Sequence, residues 1–259
     1  MIQFNKRVVI GGLPRSGSTL FRYILDASPF IVCAPETAFF LKPFADQKKR
    51  LNRVAKRVDR ALDIGEDVIA EKIACSVSSI EAYDKLMSLY CERNGLNKEV
   101  WAEKTPRNCF SYEWLQEDQS DIYFVSMIRD GRDVITSKLP GRDDYHCSIE
   151  RYIETLGAVY GFCSKNHLIV KYEDLVKSPH EIMCRVFDFF GLHFPMTVLA
   201  EYPIPSATRD PAKVNQPKVT HGISQQWVGR WQAPEHTERV DMFMGNPRAV
   251  EWLRRSGYY

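Results

Sequence analysis

Gly11-Gly12-Leu13-Pro14-Arg15-Ser16-Gly17-Ser18-Thr19-Leu20 constrains the fold of this chain more than any other stretch, because it sets a glycine-bearing turn between an apolar strand and a helix. Residues 7–10 read as a buried strand and residues 19–26 as the helix that follows. The amides of Ser16, Gly17, Ser18 and Thr19 then point from the helix N-terminus at an anion, so a phosphate-bearing ligand is the first inference. The loop departs from the Walker A pattern: Arg15 stands before Gly17, and Ser18-Thr19 occupy the positions of Lys and Ser/Thr, so no loop lysine can reach a γ-phosphate. Taken alone, the stretch also fits a tight turn of structural value only.

Strand-like runs recur at residues 8–10, 100–102, 122–128 and 168–171, each followed by a helical pattern. That alternation predicts an α/β fold, a P-loop-like three-layer arrangement with a central parallel sheet flanked by helices, in which ligands bind beyond the carboxyl ends of the strands. The Arg15 loop, Lys104, Arg129 and Tyr172 each lie just after one of these runs and would meet on one rim of the sheet.

At 259 residues, a single domain over 1–259 is the expectation. A helical insertion is predicted at about 44–93, where Leu51, Val54, Val58 and Leu62 form an apolar stripe opposite Lys48, Lys49, Arg53, Lys56, Arg57 and Arg60. Such a basic face is a solvated helix surface, or it docks an anionic acceptor or makes a peripheral membrane contact. Residues 202–234, rich in Pro, Gly and polar residues, read as a long loop, which inside a domain is more often functional than idle.

Seven cysteines, an odd number with no C-x-x-C pair, argue against a disulfide framework or a zinc cluster and for reduced thiols in a cytoplasmic setting; no metal site is expected. No apolar leader or transmembrane run approaches the required length of about 18 residues, so a soluble protein is expected. A net charge of +2 gives no support to a nucleic-acid partner.

The segment 14–20 resembles the 5′-phosphosulfate loop of sulfotransferases that use 3′-phosphoadenosine 5′-phosphosulfate (PAPS), especially the glycan and tyrosyl-protein branch and its bacterial relatives. Ala34-Pro35-Glu36-Thr37, Glu103-Lys104-Thr105-Pro106, the run 128–137, Val170-Lys171-Tyr172-Glu173-Asp174-Leu175 and Val228-Gly229-Arg230-Trp231 agree in order and rough spacing. The resemblance implies PAPS as donor, 3′-phosphoadenosine 5′-phosphate (PAP) as product, and in-line transfer of a sulfuryl group, without a metal, to the hydroxyl of a glycan, lipid-linked, small-molecule or tyrosine acceptor. It implies that Arg15 contacts the 5′-phosphate and the bridging oxygen, Glu36 is the general base, Lys104 meets the sulfonate or bridging oxygen, Arg129 and Ser137 hold the 3′-phosphate, and Tyr172 lies near the adenine. By the same resemblance, a loop containing residues 224–231 covers the nucleotide, with Lys213, Lys218, His221 or Arg230 as its cation. Some relatives carry a further basic residue beyond the serine; here Gly141 fills the nearest position, with Arg142 next to it.

The residues themselves leave alternatives. Glu36 also suits the first turn of a following helix, Lys104 could pair with Glu103 or Asp118 at the surface, and Tyr172 could be core. Asp130 and Asp133 read as helix N-terminal acids, with Arg132 paired to either. Arg129 ends a strand, and Ser137 is expected two turns along the next helix. A P-loop nucleoside or sugar kinase and a non-catalytic nucleotide-binding module are the competing functions.

Overall fold

Parallel pairing of five short strands organises the chain. In the computed structural model, which describes residues 2–118, 121–139, 141–201 and 223–259, the strands are Lys6–Gly12 (β1), Ile31–Val32 (β2), Val100–Lys104 (β3), Ile122–Ile128 (β4) and His167–Lys171 (β5). They form one sheet in the order β2-β3-β1-β4-β5, parallel at every pairing. β1 is central, with Val8 opposite Ala102 on one side and Tyr123 on the other. A strand covered on both faces needs a continuous apolar run, which Val8-Val9-Ile10 supplies.

The pleat sends alternate side chains to two cores. Val8, Ile10, Val100, Ala102, Val125 and Met127 pack beneath Ser18–Asp26 (α1) and the helices that follow β5. Val9, Trp101, Phe124 and Ile128 pack against the helices between β2 and β3 and the long helix after β4. The helices between β2 and β3 are Phe44–Lys49 (α2), Leu51–Leu62 (α3), Glu66–Ala74 (α4) and Ser79–Arg93 (α5). α3 buries Val54, Val58 and Leu62 at three-to-four spacing and ends at Asp63 in a left-handed conformation. α5 starts on Ser78, whose hydroxyl accepts from Glu81 N, while the Glu81 carboxylate accepts from Val77 N, so both sides of the helix start are bonded.

Tyr112–Asp118 (α6) follows β3, Gly131–Ile135 (α7) and Ile149–Gly161 (α8) follow β4, and Tyr172–Lys177 (α9), Pro179–Phe189 (α10) and Val198–Glu201 (α11) follow β5; Thr237–Met244 (α12) and Pro247–Arg255 (α13) close the chain. Among the described residues, no helix is long and apolar enough to cross a membrane. All seven cysteines are free; Cys33, Cys91, Cys109 and Cys147 are buried, whereas Cys75 and Cys163 are exposed.

Candidate active site

The loop after β1 is shaped by close backbone approach. A Cβ on Gly11 would lie 2.5 Å from Cys109 N, and one on Gly12 would lie 2.2 Å from Met127 O. Leu13 N donates to Met127 O at 2.9 Å and Ser16 Oγ donates to Leu13 O at 2.6 Å, closing the turn. Gly17, at φ 76°, is the residue before α1, and a Cβ there would strike the Tyr172 ring at 2.3 Å. Arg15 holds φ 63°, a left-handed conformation that costs a non-glycine residue about 1 kcal/mol and is retained where surrounding contacts enforce it. α1 has no capping side chain and no acid in its first turn, so the amides at Ser18 and Thr19 and the positive end of the helix are left to an external anion.

Around the loop stands the Arg129 cluster. Arg129, immediately after β4, donates through one terminal nitrogen to Arg15 O at 3.1 Å and through the other to Trp227 O, and pairs with Asp133 Oδ2 at 3.1 Å. Its guanidinium lies over the Tyr172 ring, 4.6 Å from the centroid, and its buried Nε has no partner. Arg15 Nε donates to Ser137 Oγ at 2.9 Å. Burial, with the Arg129 charge added to it, pushes the Arg15 guanidinium below its ordinary pKa. Two guanidinium groups brought this close favour a dianion between them.

Ser137 reaches this cluster differently from the sequence expectation. α7 has only five residues, stops at Thr136, and leaves Ser137 just beyond the helix, where its carbonyl accepts from His146 N at 3.0 Å. Tyr172, just after β5 as expected, is the first residue of α9, wedged between Arg129 and Gly17, with its phenol pKa raised by burial. A cavity of about 260 Å³ opens beside the cluster, lined by Arg129, Ser137, Lys138, Trp227, Arg230 and His236 among others. Arg230 is therefore at the cavity wall, and Arg142 is exposed in the turn beyond Ser137; Lys213, Lys218 and His221 lie outside the described residues.

At the end of β3, Lys104 Nζ meets Glu36 Oε2 at 2.7 Å. The lysine side chain is 2% exposed and the glutamate 34%, so the pair has one buried member and one that faces solvent. Lys104 does not pair with Glu103, since neighbouring strand residues point to opposite faces, and the alternative with Asp118 falls on a side chain outside those described. Nor is Glu36 a first-turn acid: the next helical turn, Phe39–Leu41, starts three residues later behind Ala38 in a left-handed conformation. Of the three residues expected in catalysis, the structure brings Glu36 and Lys104 into contact, while Arg15 is bonded to Ser137.

Three further residues emerge from the fold. Glu103 is buried and accepts from Thr37 Oγ1 and Thr105 Oγ1, both at 2.8 Å, from Thr37 N at 3.2 Å and from Asn108 Nδ2, so it clamps the loop that carries Glu36. Burial raises its carboxyl above the usual 4.5, against those hydrogen bonds. Arg57 turns inward from α3; burial pushes its guanidinium down while the Glu103 charge opposes that shift, and its buried Nε has no partner. Asp130 and Asp133 both lie at the start of α7, as expected: Asp130 caps it, accepting from Arg132 N at 2.9 Å and pairing with the Arg132 side chain at 2.7 Å, while Asp133, in the first turn, also bonds the segment around Gly229. Asp133 follows Arg129 by four positions, a spacing that could have suggested the pair.

Comparison with known proteins gives the family and the fold. A sequence model of the Sulfotransferase family matches residues 7–196. Protein-tyrosine sulfotransferase A of Caenorhabditis elegans is 26% identical over 272 residues, covering 97% of this chain and 67% of that protein. Protein-tyrosine sulfotransferase 2 of Gallus gallus is 27% identical over 206 residues, covering 74% of this chain and 53% of that protein. The chain thus spans about half to two thirds of the length of these relatives. Among solved structures, the sulfotransferase domain from the Synechococcus PCC 7002 olefin synthase has the same fold at a TM-score of 0.71 and 17% identity, covering 100% of this chain and 97% of that one. The sulfotransferase domain from the curacin biosynthetic pathway aligns at 0.62 and 14% identity, covering 100% and 99%. Because the family match runs unbroken from β1 past β5 and takes in the Arg15 loop, Glu36, Lys104, Arg129, Ser137 and Tyr172, this chain belongs to the sulfotransferase family.

Proposed function

We propose that the chain transfers a sulfuryl group from PAPS to an acceptor hydroxyl, with Glu36 as the general base. The observation that carries this reading is the arrangement along one rim of the sheet: an uncapped helix start and two converging guanidinium groups on one side, and a carboxylate held on a buried lysine on the other.

The residues suit such a nucleotide. The orphaned Arg129 Nε, the Ser137 hydroxyl and the Arg15 guanidinium are donors for a 3′-phosphate, and the loop amides with Arg15 are donors for the 5′-phosphate. Bound PAPS supplies an activated sulfuryl group whose leaving phosphate gains charge as the bond to sulfur breaks. Arg15 and Lys104 answer that charge, since preformed cations in a partly dry site stabilise it without reorganisation. Glu36 Oε2 accepts the proton of the acceptor hydroxyl, and its exposure is what lets an acceptor reach it. Lys104 orients that carboxylate through the hydrogen bond at 2.7 Å.

The tyrosyl-protein relatives make a phenolic hydroxyl the first acceptor to examine, ahead of glycan, lipid-linked and small-molecule hydroxyls. Labelled donor incubated with each acceptor class tests the reaction, and calorimetry with PAP and with ATP tests the site. Sulfation of one class, with PAP bound in preference to ATP in the absence of magnesium, is expected; tighter binding of Mg·ATP would move the chain to the kinase reading.

A further inference from the structure

We infer that Asp133 is a positioning residue that couples the nucleotide site to the segment carrying Trp227, Gly229, Arg230 and Trp231; this rests on the reading of the Arg129 cluster as the 3′-phosphate site. The Asp133 side chain is 0% exposed, and both carboxylate oxygens are engaged. Oδ2 accepts from Gly229 N at 2.9 Å and pairs with Arg129 at 3.1 Å; Oδ1 accepts from Trp231 N at 3.0 Å. Gly229 sits at φ 74°, so the chain turns there in a conformation that presents both amides to one carboxylate. On the flank, Arg132 lies over the Trp231 ring at 4.1 Å, and Trp227 O takes the second hydrogen bond from Arg129.

One carboxylate therefore touches both walls of the cavity. It fixes Arg129, whose two terminal nitrogens each donate to a protein acceptor while the buried Nε has no partner and can donate to an incoming phosphate oxygen. It also holds the backbone on either side of Arg230, a cavity-lining cation. Occupancy of the site by a 3′-phosphate and the docking of residues 227–231 are consequently linked: whatever orders Arg129 favours the docked segment, and the docked segment favours binding by the same factor. A buried carboxylate with three donors cannot be replaced by its amide, because one face of Asn would turn an N–H toward a donor and Arg129 would lose its counter-charge.

The experiment is calorimetry of PAP and of adenosine 5′-phosphate, which lacks the 3′-phosphate, on the wild-type chain and on Asp133→Asn. A wild-type preference for PAP tests the site reading itself. The coupling predicts that Asp133→Asn weakens PAP by at least about tenfold, the scale of one lost charge-assisted hydrogen bond, and leaves adenosine 5′-phosphate unchanged. Equal weakening of both nucleotides, or none, would overturn it. Tryptic cleavage after the exposed Arg230 gives a second reading: PAP should protect this bond in the wild type and fail to do so at saturation in the variant. Should Asp133→Asn not fold, amide hydrogen exchange at Gly229 and Trp231 in the wild type decides the matter. PAP should slow both by about tenfold or more, and identical exchange with and without PAP would refute the coupling.

Discussion

The two ends of the active-site rim solve the problem of buried charge in opposite ways. At the Arg129 end, cations outnumber their counter-charges: Arg15 and Arg129 converge, Asp133 pairs with one of them, and backbone carbonyls accept from terminal nitrogens of both. At the Glu36 end, Lys104 is matched by Glu36, and a second carboxylate, Glu103, is satisfied by neutral donors from Thr37, Thr105 and Asn108. An excess of fixed positive charge suits a site that binds a multiply charged anion and keeps it. A balanced pair with its carboxylate exposed suits a site where a neutral hydroxyl arrives and a proton leaves. The contrast separates binding from chemistry along one sheet edge.

The sharpest way to break this contrast is Glu36→Gln, which keeps the shape and the bond to Lys104 but cannot take a proton. Turnover should fall by about 10²–10⁴-fold, the range for a lost general base, with PAP affinity unaltered in calorimetry. Near-normal turnover would remove Glu36 from the reaction, and loss of PAP binding would show that the two ends are not separable.

Arg129→Ala should do the reverse. Removing a guanidinium that serves a phosphate costs roughly 1.5–3 kcal/mol per charge-assisted bond, so PAP should bind at least about tenfold more weakly, while the acceptor KM holds. An unchanged dissociation constant would place the 3′-phosphate elsewhere.

Glu103 sharpens the comparison through pH. Because its folded-state pKa is raised by burial, the folded chain binds that proton more tightly than the unfolded chain. The stabilising contribution is therefore complete below the usual carboxylate value of 4.5 and is lost as pH rises through the folded-state value. Glu103→Gln should flatten the fall in Tm over that interval, as followed by thermal melts across pH. A melting profile parallel to the wild type would mean that Glu103 is fully ionised in the fold.

The smallest effects belong to α2 and α3, where the basic stripe divides. Lys49 is 75% exposed and paired with Asp46 at 3.4 Å, whereas Arg57 turns toward the buried Glu103. An anionic acceptor should respond to Arg57 and not to the outer face. Arg57→Glu should raise the KM of such an acceptor severalfold and make it less sensitive to salt, and Lys49→Glu should leave it within error. Steady-state kinetics at two ionic strengths would tell; identical behaviour of the two variants would reduce the stripe to a solvated surface.

Much of this arrangement was legible in the chain itself. Val8-Val9-Ile10 needs cover on both sides, and the short runs ending near Lys104, Ile128 and Lys171 alternate with helical patterns, which together leave a parallel sheet as the natural outcome. In such a sheet the residues after the strands share a rim, so the positions of Arg15, Lys104, Arg129 and Tyr172 after the strand runs already gather them there. Local spacing failed where a helix stopped early: Ser137 lies past a five-residue helix, because the Thr136 hydroxyl turns back to Arg132 O and the chain leaves toward His146.

What sequence alone determined was the four longer strands, the glycine-shaped loop and the cations at the strand ends, all consequences of periodicity and backbone sterics within a few residues. Tertiary structure alone decided the partners. Lys104 chose Glu36 across 68 positions, Glu103 was claimed by Thr37 across 66, and Asp133 reached Gly229 across 96. No local pattern encodes such choices, because a buried charge is satisfied by whichever donor or acceptor the packed fold brings within about 3 Å, and that is known only once the sheet and its covering helices have closed over it.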